Sequence, residues 1–283
     1  MQTVLIGVGI LSGISAVLAI VISLCSIKLR VWEDPRIEEI VAMLPGANCG
    51  ACGFPGCRGL AEQIVLRRAK PASCTVSSAD GRESIAAFLG IDAGEAQKRV
   101  ARLLCAGGTD VAQRRVEYRG VESCAAALAV SGGGKACSWG CVGMADCAVA
   151  CSFDAIYMSR TGLPLVDPDM CTACGDCVSA CPQGLFTILP LDAHLLVQCK
   201  SLLEGVVATA ACAVACNACG RCAADAEPGL ITMQMGGRLP VIDYDLVHLE
   251  SIEAIKRCPT GAIAWVEGAQ FAGMDEPSAR LGS

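Results

Sequence analysis

Cys171-Thr-Ala-Cys174-Gly-Asp-Cys177-Val-Ser-Ala-Cys181-Pro182 sets three thiols two residues apart, a fourth three residues further on, and a proline directly after it. Thiolates at that pitch wrap one corner of an iron–sulfur cubane, and small residues between them let backbone N–H groups face sulfur. The fourth cysteine of such a run reaches away to a neighbouring cluster, and the proline turns the chain. Structural zinc is the competing chemistry, but zinc sites pair two CxxC units across a longer loop. The spacing implies one-electron transfer.

Composition agrees. Twenty-one cysteines in 283 residues exceed ordinary usage, in a chain too long for a small disulfide scaffold. Clustered thiols in that number point to metal sites in a reducing compartment. Aromatic residues make up 4%, so small cores are expected. A net charge of −6 argues against nucleic-acid binding. The length suggests two or more modules, and the fold class expected is α+β: a single transmembrane helix, a small N-terminal iron–sulfur domain, then two ferredoxin-like modules.

The elements that must position these thiols start with residues 1–30, expected as the transmembrane helix. Val4–Ile27 holds no charged residue, and at about 1.5 Å per residue it would reach roughly 36 Å against a hydrocarbon core of about 30 Å. No charge precedes it, while Lys28 and Arg30 follow. That order implies a single pass in the cell (inner) membrane, with the N-terminus outside and the modules cytoplasmic. Gly9, Gly13, Ser12, Ala16, Ala19 and Ser23 recur at four-residue steps that let helices approach closely. Cys25, alone in this stretch, reads as inert.

Residues 31–76 form a compact unit by pattern. Asp34-Pro35 is an N-cap with proline at the first helical position, and Ile37, Ile40, Val41 and Leu44 share one helix face. Cys49, Cys52, Cys57 and Cys74 then follow in an order that can hold one [4Fe–4S] cluster, with zinc as the alternative by spacing. Residues 77–123 are expected as a helical spacer plus an apolar run, Val100–Cys105, whose counterpart is His194–Cys199. So short a run does not separate strand from helix.

Everything after that reads as a duplication. Cys124-x12-Cys137-x3-Cys141 recurs as Cys199-x12-Cys212-x3-Cys216, and each copy ends in Cys-Pro, at Cys181 and at Cys258. Two ferredoxin-like modules are therefore expected, 124–193 with two clusters and 199–266 with one, each built of βαβ-like halves. In the first, Cys171, Cys174 and Cys177 group with Cys151. Cys141, Cys147 and Cys181 form the opposite set, and Met144 stands where a further thiolate belongs. Cys137 is the candidate replacement, with a three-iron cluster as the alternative. In the second, Cys216, Cys219, Cys222 and Cys258 form one set, and Ala226 replaces the crossing cysteine of the other. Cys105, Cys124, Cys199 and Cys212 remain: a fifth cluster and structural free thiols are both open. Gly132-Gly-Gly-Lys135 lacks the spacing of a phosphate loop and reads as a flexible lead-in to a cluster. Residues 267–283 are expected as a disordered tail.

Cys49-Gly-Ala-Cys-Gly-Phe-Pro-Gly-Cys57 resembles the N-terminal cluster domain of the Rnf complex B subunit, a domain also seen in corrinoid iron–sulfur proteins. The layout up to residue 266 resembles the longer form of that subunit. The resemblance implies an iron–sulfur subunit of a membrane-bound ferredoxin:NAD+ oxidoreductase that couples electron flow to Na+ or H+ translocation. It implies four [4Fe–4S] clusters, with a fifth left open. Its implied partners are soluble ferredoxin and the complex's membrane, flavin-bearing and NAD-binding subunits, with no nucleic acid. The alternatives are an electron-input subunit of a hydrogenase or redox-sensor-reducing complex, a corrinoid-linked methyl-transfer component, and a non-redox thiolate metal scaffold. No GxGxxG followed by an acidic residue is present for NAD, so the chain itself reads as a carrier.

Overall fold

The computed structural model describes residues 2–28, 34–95 and 97–271. Helix α1 (Gln2–Lys28) opens the chain. α2 (Pro35–Met43) starts where Asp34 accepts from the Arg36 N–H at 3.0 Å, with Pro35 supplying the fixed φ of the first helical position. α3 (Gly56–Val65) and α4 (Ala79–Leu89) complete the N-terminal domain. Ser78 caps α4 through the Gly81 N–H, and Gly90 ends it in a left-handed conformation. Ile40, Leu60, Ile64 and Ile85 are fully buried against one another. Ile85 thus packs α4 onto this core, at about 1.5–3 kcal/mol for each large apolar side chain buried.

The single transmembrane helix expected over residues 1–30 is corrected. α1 forms and carries no charge before Lys28, yet among the described residues no helix is long and apolar enough to cross a membrane. The continuous stretch of α1 whose side chains are described is 12–24. Within that stretch Ser12, Gly13, Ser15 and Ser23 interrupt the apolar surface. The single-pass placement, with the N-terminus outside and the modules cytoplasmic, rested on that span and is corrected with it. The side chain of Cys25, the Gly9 position in the small-residue pattern, and residues 29–33 lie outside the described residues.

β1 (Arg99–Leu103) opens the first module, followed by α5 (Cys124–Ser131), α6 (Asp146–Val149), β2 (Ile156–Met158), β3 (Pro164–Val166), α7 (Asp176–Ala180) and β4 (Phe186–Pro190). The second module runs β5 (Leu195–Val197), α8 (Gly205–Ala211), α9 (Arg221–Asp225), β6 (Ile231–Gln234), β7 (Leu239–Ile242), α10 (Glu253–Lys256) and β8 (Ile263–Trp265). All four ladders are antiparallel and two-stranded: β1 with β4, β2 with β3, β5 with β8, and β6 with β7. Each module thus pairs its outer and its inner strands, and its short helices pack behind them. Val100–Cys105 and His194–Cys199 therefore contain corresponding strands, and the first repeat begins at Arg99, ahead of Cys124.

In the second module Ala226, Leu246, Leu249 and Ile255 pack on a core of Leu230, Ile231 and Ile242. The same packing takes in Cys222 and Cys258. The stretch after β8 folds back onto β1. Gln270, 3% exposed, accepts from the Leu103 N–H at 2.9 Å and donates to the Leu103 carbonyl at 2.7 Å, acting as a strand partner. Buried Arg102 donates to the Gly268 carbonyl at 2.7 Å. Residues 272–283 of the expected tail lie outside the described residues. Gln270→Leu would leave two buried backbone groups unpaired at about 1–3 kcal/mol each. A clear drop in the anaerobic thermal unfolding midpoint is expected, and an unchanged midpoint would contradict the role of this clasp.

Candidate metal centres

Cys49, Cys52, Cys57 and Cys74 line one cavity of about 310 Å³ in the N-terminal domain. Asn48 shapes the loop: its Oδ1 accepts from the Cys57 N–H at 2.9 Å, and its amide donates to the Gly46 carbonyl at 3.1 Å. The short turn after α3 brings buried Cys74 to the same wall, where burial pushes its thiol up.

In the first module, Cys141, Cys147 and Cys181 line a cavity of about 380 Å³, and the fourth cysteine there is Cys124. Sequence spacing alone places Cys137 in this set. Asp146 explains the difference. Its carboxylate accepts from the Cys124 N–H at 3.0 Å, from the Ala125 N–H at 3.4 Å and from the Ser123 hydroxyl at 3.1 Å. A carboxylate on the unpaired N–H groups of a helix start is favourable, so α5 is pinned with its first residue facing the cavity. Met144 contributes its backbone toward the Cys124 sulfur, and its side chain does not line the cavity. Burial first, then the neighbouring Cys105, pushes the Cys141 thiol up to about 12. The Cys147 thiol is pushed up further by the same cause, burial.

Cys151, Cys171 and Cys174 gather around buried Cys177, whose thiol is raised to about 12, mainly by burial and then by those three neighbours. Arg102 stands close enough to feel Cys171, although burial lowers its own pKa. In the second module Cys216, Cys219, Cys222 and Cys258 line a cavity of about 350 Å³. Half-buried Cys258 differs from buried Cys216 and Cys222. Burial pushes it up, but N–H groups of Ile263, Thr260 and Ala262 and the Thr260 hydroxyl together hold it below the ordinary thiol value.

The remaining thiols also converge. Cys105, Cys137, Cys199 and Cys212 line a cavity of about 360 Å³ between the modules. Cys124 and Cys137 thus stand in each other's expected places. Nothing in their local spacing distinguishes the two; the signal lay in Asp146, next to Cys147 and 22 residues from Cys124 along the chain.

Among the described residues, no group of three or more His, Cys, Asp or Glu closes to the separation of single-ion ligands. The cysteines instead stand around hollows with backbone N–H groups near their sulfurs, a donor set that fits a cubane. Neutral, buried thiols must lose protons when they bind iron, so cluster uptake releases protons. Cys258, ionised more readily than Cys216 or Cys222, is expected to alkylate before both when the iron-free chain is treated near neutral pH. The lead over Cys222 should shrink as pH approaches about 11, where burial has placed that thiol. Peptide mapping that found Cys222 labelled first would contradict this order.

Two family models match: FeS, for an Fe-S cluster, over residues 44–76, and Fer4, a 4Fe-4S binding domain, over residues 164–187. The chain is 38% identical over 264 residues to the B subunit of the Na(+)-translocating ferredoxin:NAD(+) oxidoreductase complex of Acetobacterium woodii, covering 93% of this chain and 78% of that protein. It is 33% identical over 265 residues to the B subunit of the proton-translocating ferredoxin:NAD(+) oxidoreductase complex of Clostridium ljungdahlii, covering 93% of each. The B subunit of the ion-translocating oxidoreductase complex of Methanosarcina acetivorans is 35% identical over 232 residues, 82% of this chain and 88% of that protein.

Proposed function

The chain belongs to the B subunits of the Rnf-type, ion-translocating oxidoreductase complexes, and we propose that it takes electrons from reduced ferredoxin and relays them to other subunits of such a complex for NAD+ reduction. It is an iron–sulfur electron-transfer subunit. The observation that carries the relay reading is the convergence of cysteines separated in sequence, four to a hollow.

Cys49, Cys52, Cys57 and Cys74 would hold one [4Fe–4S] cluster. Cys124, Cys141, Cys147 and Cys181 would hold a second, Cys151, Cys171, Cys174 and Cys177 a third, and Cys216, Cys219, Cys222 and Cys258 a fourth. A bound cubane supplies one-electron transfer, at a potential set by burial and by N–H···S bonds. The chain's own residues bury part of each set, orient the sulfurs, and place cationic Arg102 near Cys171. No side chain needs to move a proton for this task, which agrees with carboxylates that cap and clasp, as Asp146 and Glu250 do.

The test is anaerobic purification of the full chain with metal analysis. About sixteen irons or more per chain are expected, four for each of these sets, and reduced ferredoxin should bleach their visible absorbance. Stoichiometric zinc with little iron would overturn the reading.

A further inference from the structure

We propose that Cys105, Cys137, Cys199 and Cys212 hold a further [4Fe–4S] cluster at the junction of the two modules, set between the Cys141 and Cys216 sites. The proposal rests on the relay reading above and extends it to a connecting centre.

Four observations carry it. The four cysteines line one hollow, as do those of the Cys49, Cys141 and Cys216 sets. All four cysteines are free thiols, three of them buried. Gly107 lies between two of them: a Cβ there would stand 3.2 Å from the Cys212 sulfur and 3.5 Å from that of Cys105. Lys135, 8% exposed, also lines the cavity and donates to the Gly107 carbonyl at 2.5 Å. A buried ammonium requires compensating negative charge, which the thiolates of a filled site would supply.

The duplication gives the strongest argument. Each repeat contributes the cysteine that ends its opening strand segment, Cys105 after β1 and Cys199 after β5. Each also contributes a cysteine four positions before another cluster cysteine, Cys137 before Cys141 and Cys212 before Cys216. The backbone repeats as well. The Cys141 N–H donates to the Cys105 sulfur and the Ser201 N–H to the Cys199 sulfur, each at 3.4 Å, and the Cys216 backbone lies beside the Cys199 sulfur. Two modules have thus donated equivalent half-sites to one hollow. Backbone pairing closes the joint, with Ala106 N–H to the Gln198 carbonyl at 3.0 Å, Gln113 N–H to the Ala211 carbonyl at 3.0 Å, and Ala213 N–H to the Val111 carbonyl at 2.9 Å. Free structural thiols would account for burial, but not for the equivalence of donors or for N–H groups directed at sulfur in both modules. When filled, the site would accept one electron from the cluster of one module and pass one to the other.

The experiment counts iron and acid-labile sulfide in the anaerobically reconstituted full chain, then in the Cys137→Ala/Cys212→Ala double variant. The proposal expects about twenty irons in the unaltered chain and about sixteen in the variant, at four per cluster, with the signals of the other clusters retained. About sixteen irons in the unaltered chain would overturn it while leaving the relay reading intact. One zinc beside sixteen irons would also overturn it, in favour of a single-ion site. Little iron of any kind would instead defeat the relay reading itself. If the double variant fails to fold, the count on the unaltered chain still decides.

Discussion

Cys124→Ala is expected to remove one cluster from the first module, about four irons per chain, and to leave the Cys151, Cys171, Cys174 and Cys177 set loaded. The cavity assigns Cys124 to Cys141, Cys147 and Cys181, and Asp146 holds it there by accepting from both N–H groups at the start of α5. Asp146→Ala should therefore weaken the same cluster without removing any thiol. Its loss on dilution with a chelator should be several-fold faster than in the unaltered chain, because the helix start that presents Cys124 is no longer tied. Electron paramagnetic resonance of the reduced protein would show which signal disappears. Were Cys124→Ala to keep every cluster while Cys137→Ala lost the first-module signal, the pairing suggested by sequence spacing would hold and the geometric one would fall.

Gly134→Ala should be among the most damaging single substitutions outside the thiols. Gly134 has φ +74, and a Cβ there would overlap the Val116 carbonyl oxygen. The left-handed conformation alone costs a non-glycine residue about 1–2 kcal/mol. The clash is with backbone, which a rotamer change cannot relieve, so a total of about 3–5 kcal/mol is expected. That is a large share of a typical domain stability of about 5–15 kcal/mol. The strand-like contact at risk joins Arg114 to Lys135, so Lys135 and Cys137 would be displaced with it. Gly237→Ala is the control: its φ is +89, but open space surrounds it, so only the conformational cost remains. Comparable unfolding midpoints for the two variants would show that the Val116 contact is not the constraint.

Glycine content alone suggests a flexible lead-in at Gly132-Gly-Gly-Lys135. In the structure Gly133 and Gly134 are buried in a tight turn, and Lys135 is turned inward onto the Gly107 carbonyl. These glycines are required by close approach rather than by mobility: a Cβ on Gly133 would stand 2.5 Å from Val142.

Local spacing suggests groupings wherever the cysteines are close in the chain. The Cys49–Cys74 set, the Cys171, Cys174 and Cys177 run and the Cys216, Cys219 and Cys222 run could be grouped by eye, because a tight wrap around a cubane leaves a fixed pitch in the sequence. The duplication was legible for the same reason, as a repeated interval. Where the chain leaves and returns, spacing carried no information. Cys124 opens α5 and Cys137 lies beyond its end, and which of them faces Cys147 depends on Asp146 catching the helix start from the next element. The junction cavity needed both modules in place, since each brings half of its thiols and neither half resembles a motif. The boundary of the first repeat was likewise hidden, because β1 finds its partner β4 only after the intervening helices have folded between them. Short-range ligand pitch is a property of the chain, whereas long-range pairing is decided by hydrogen bonds and burial that exist only once the modules pack.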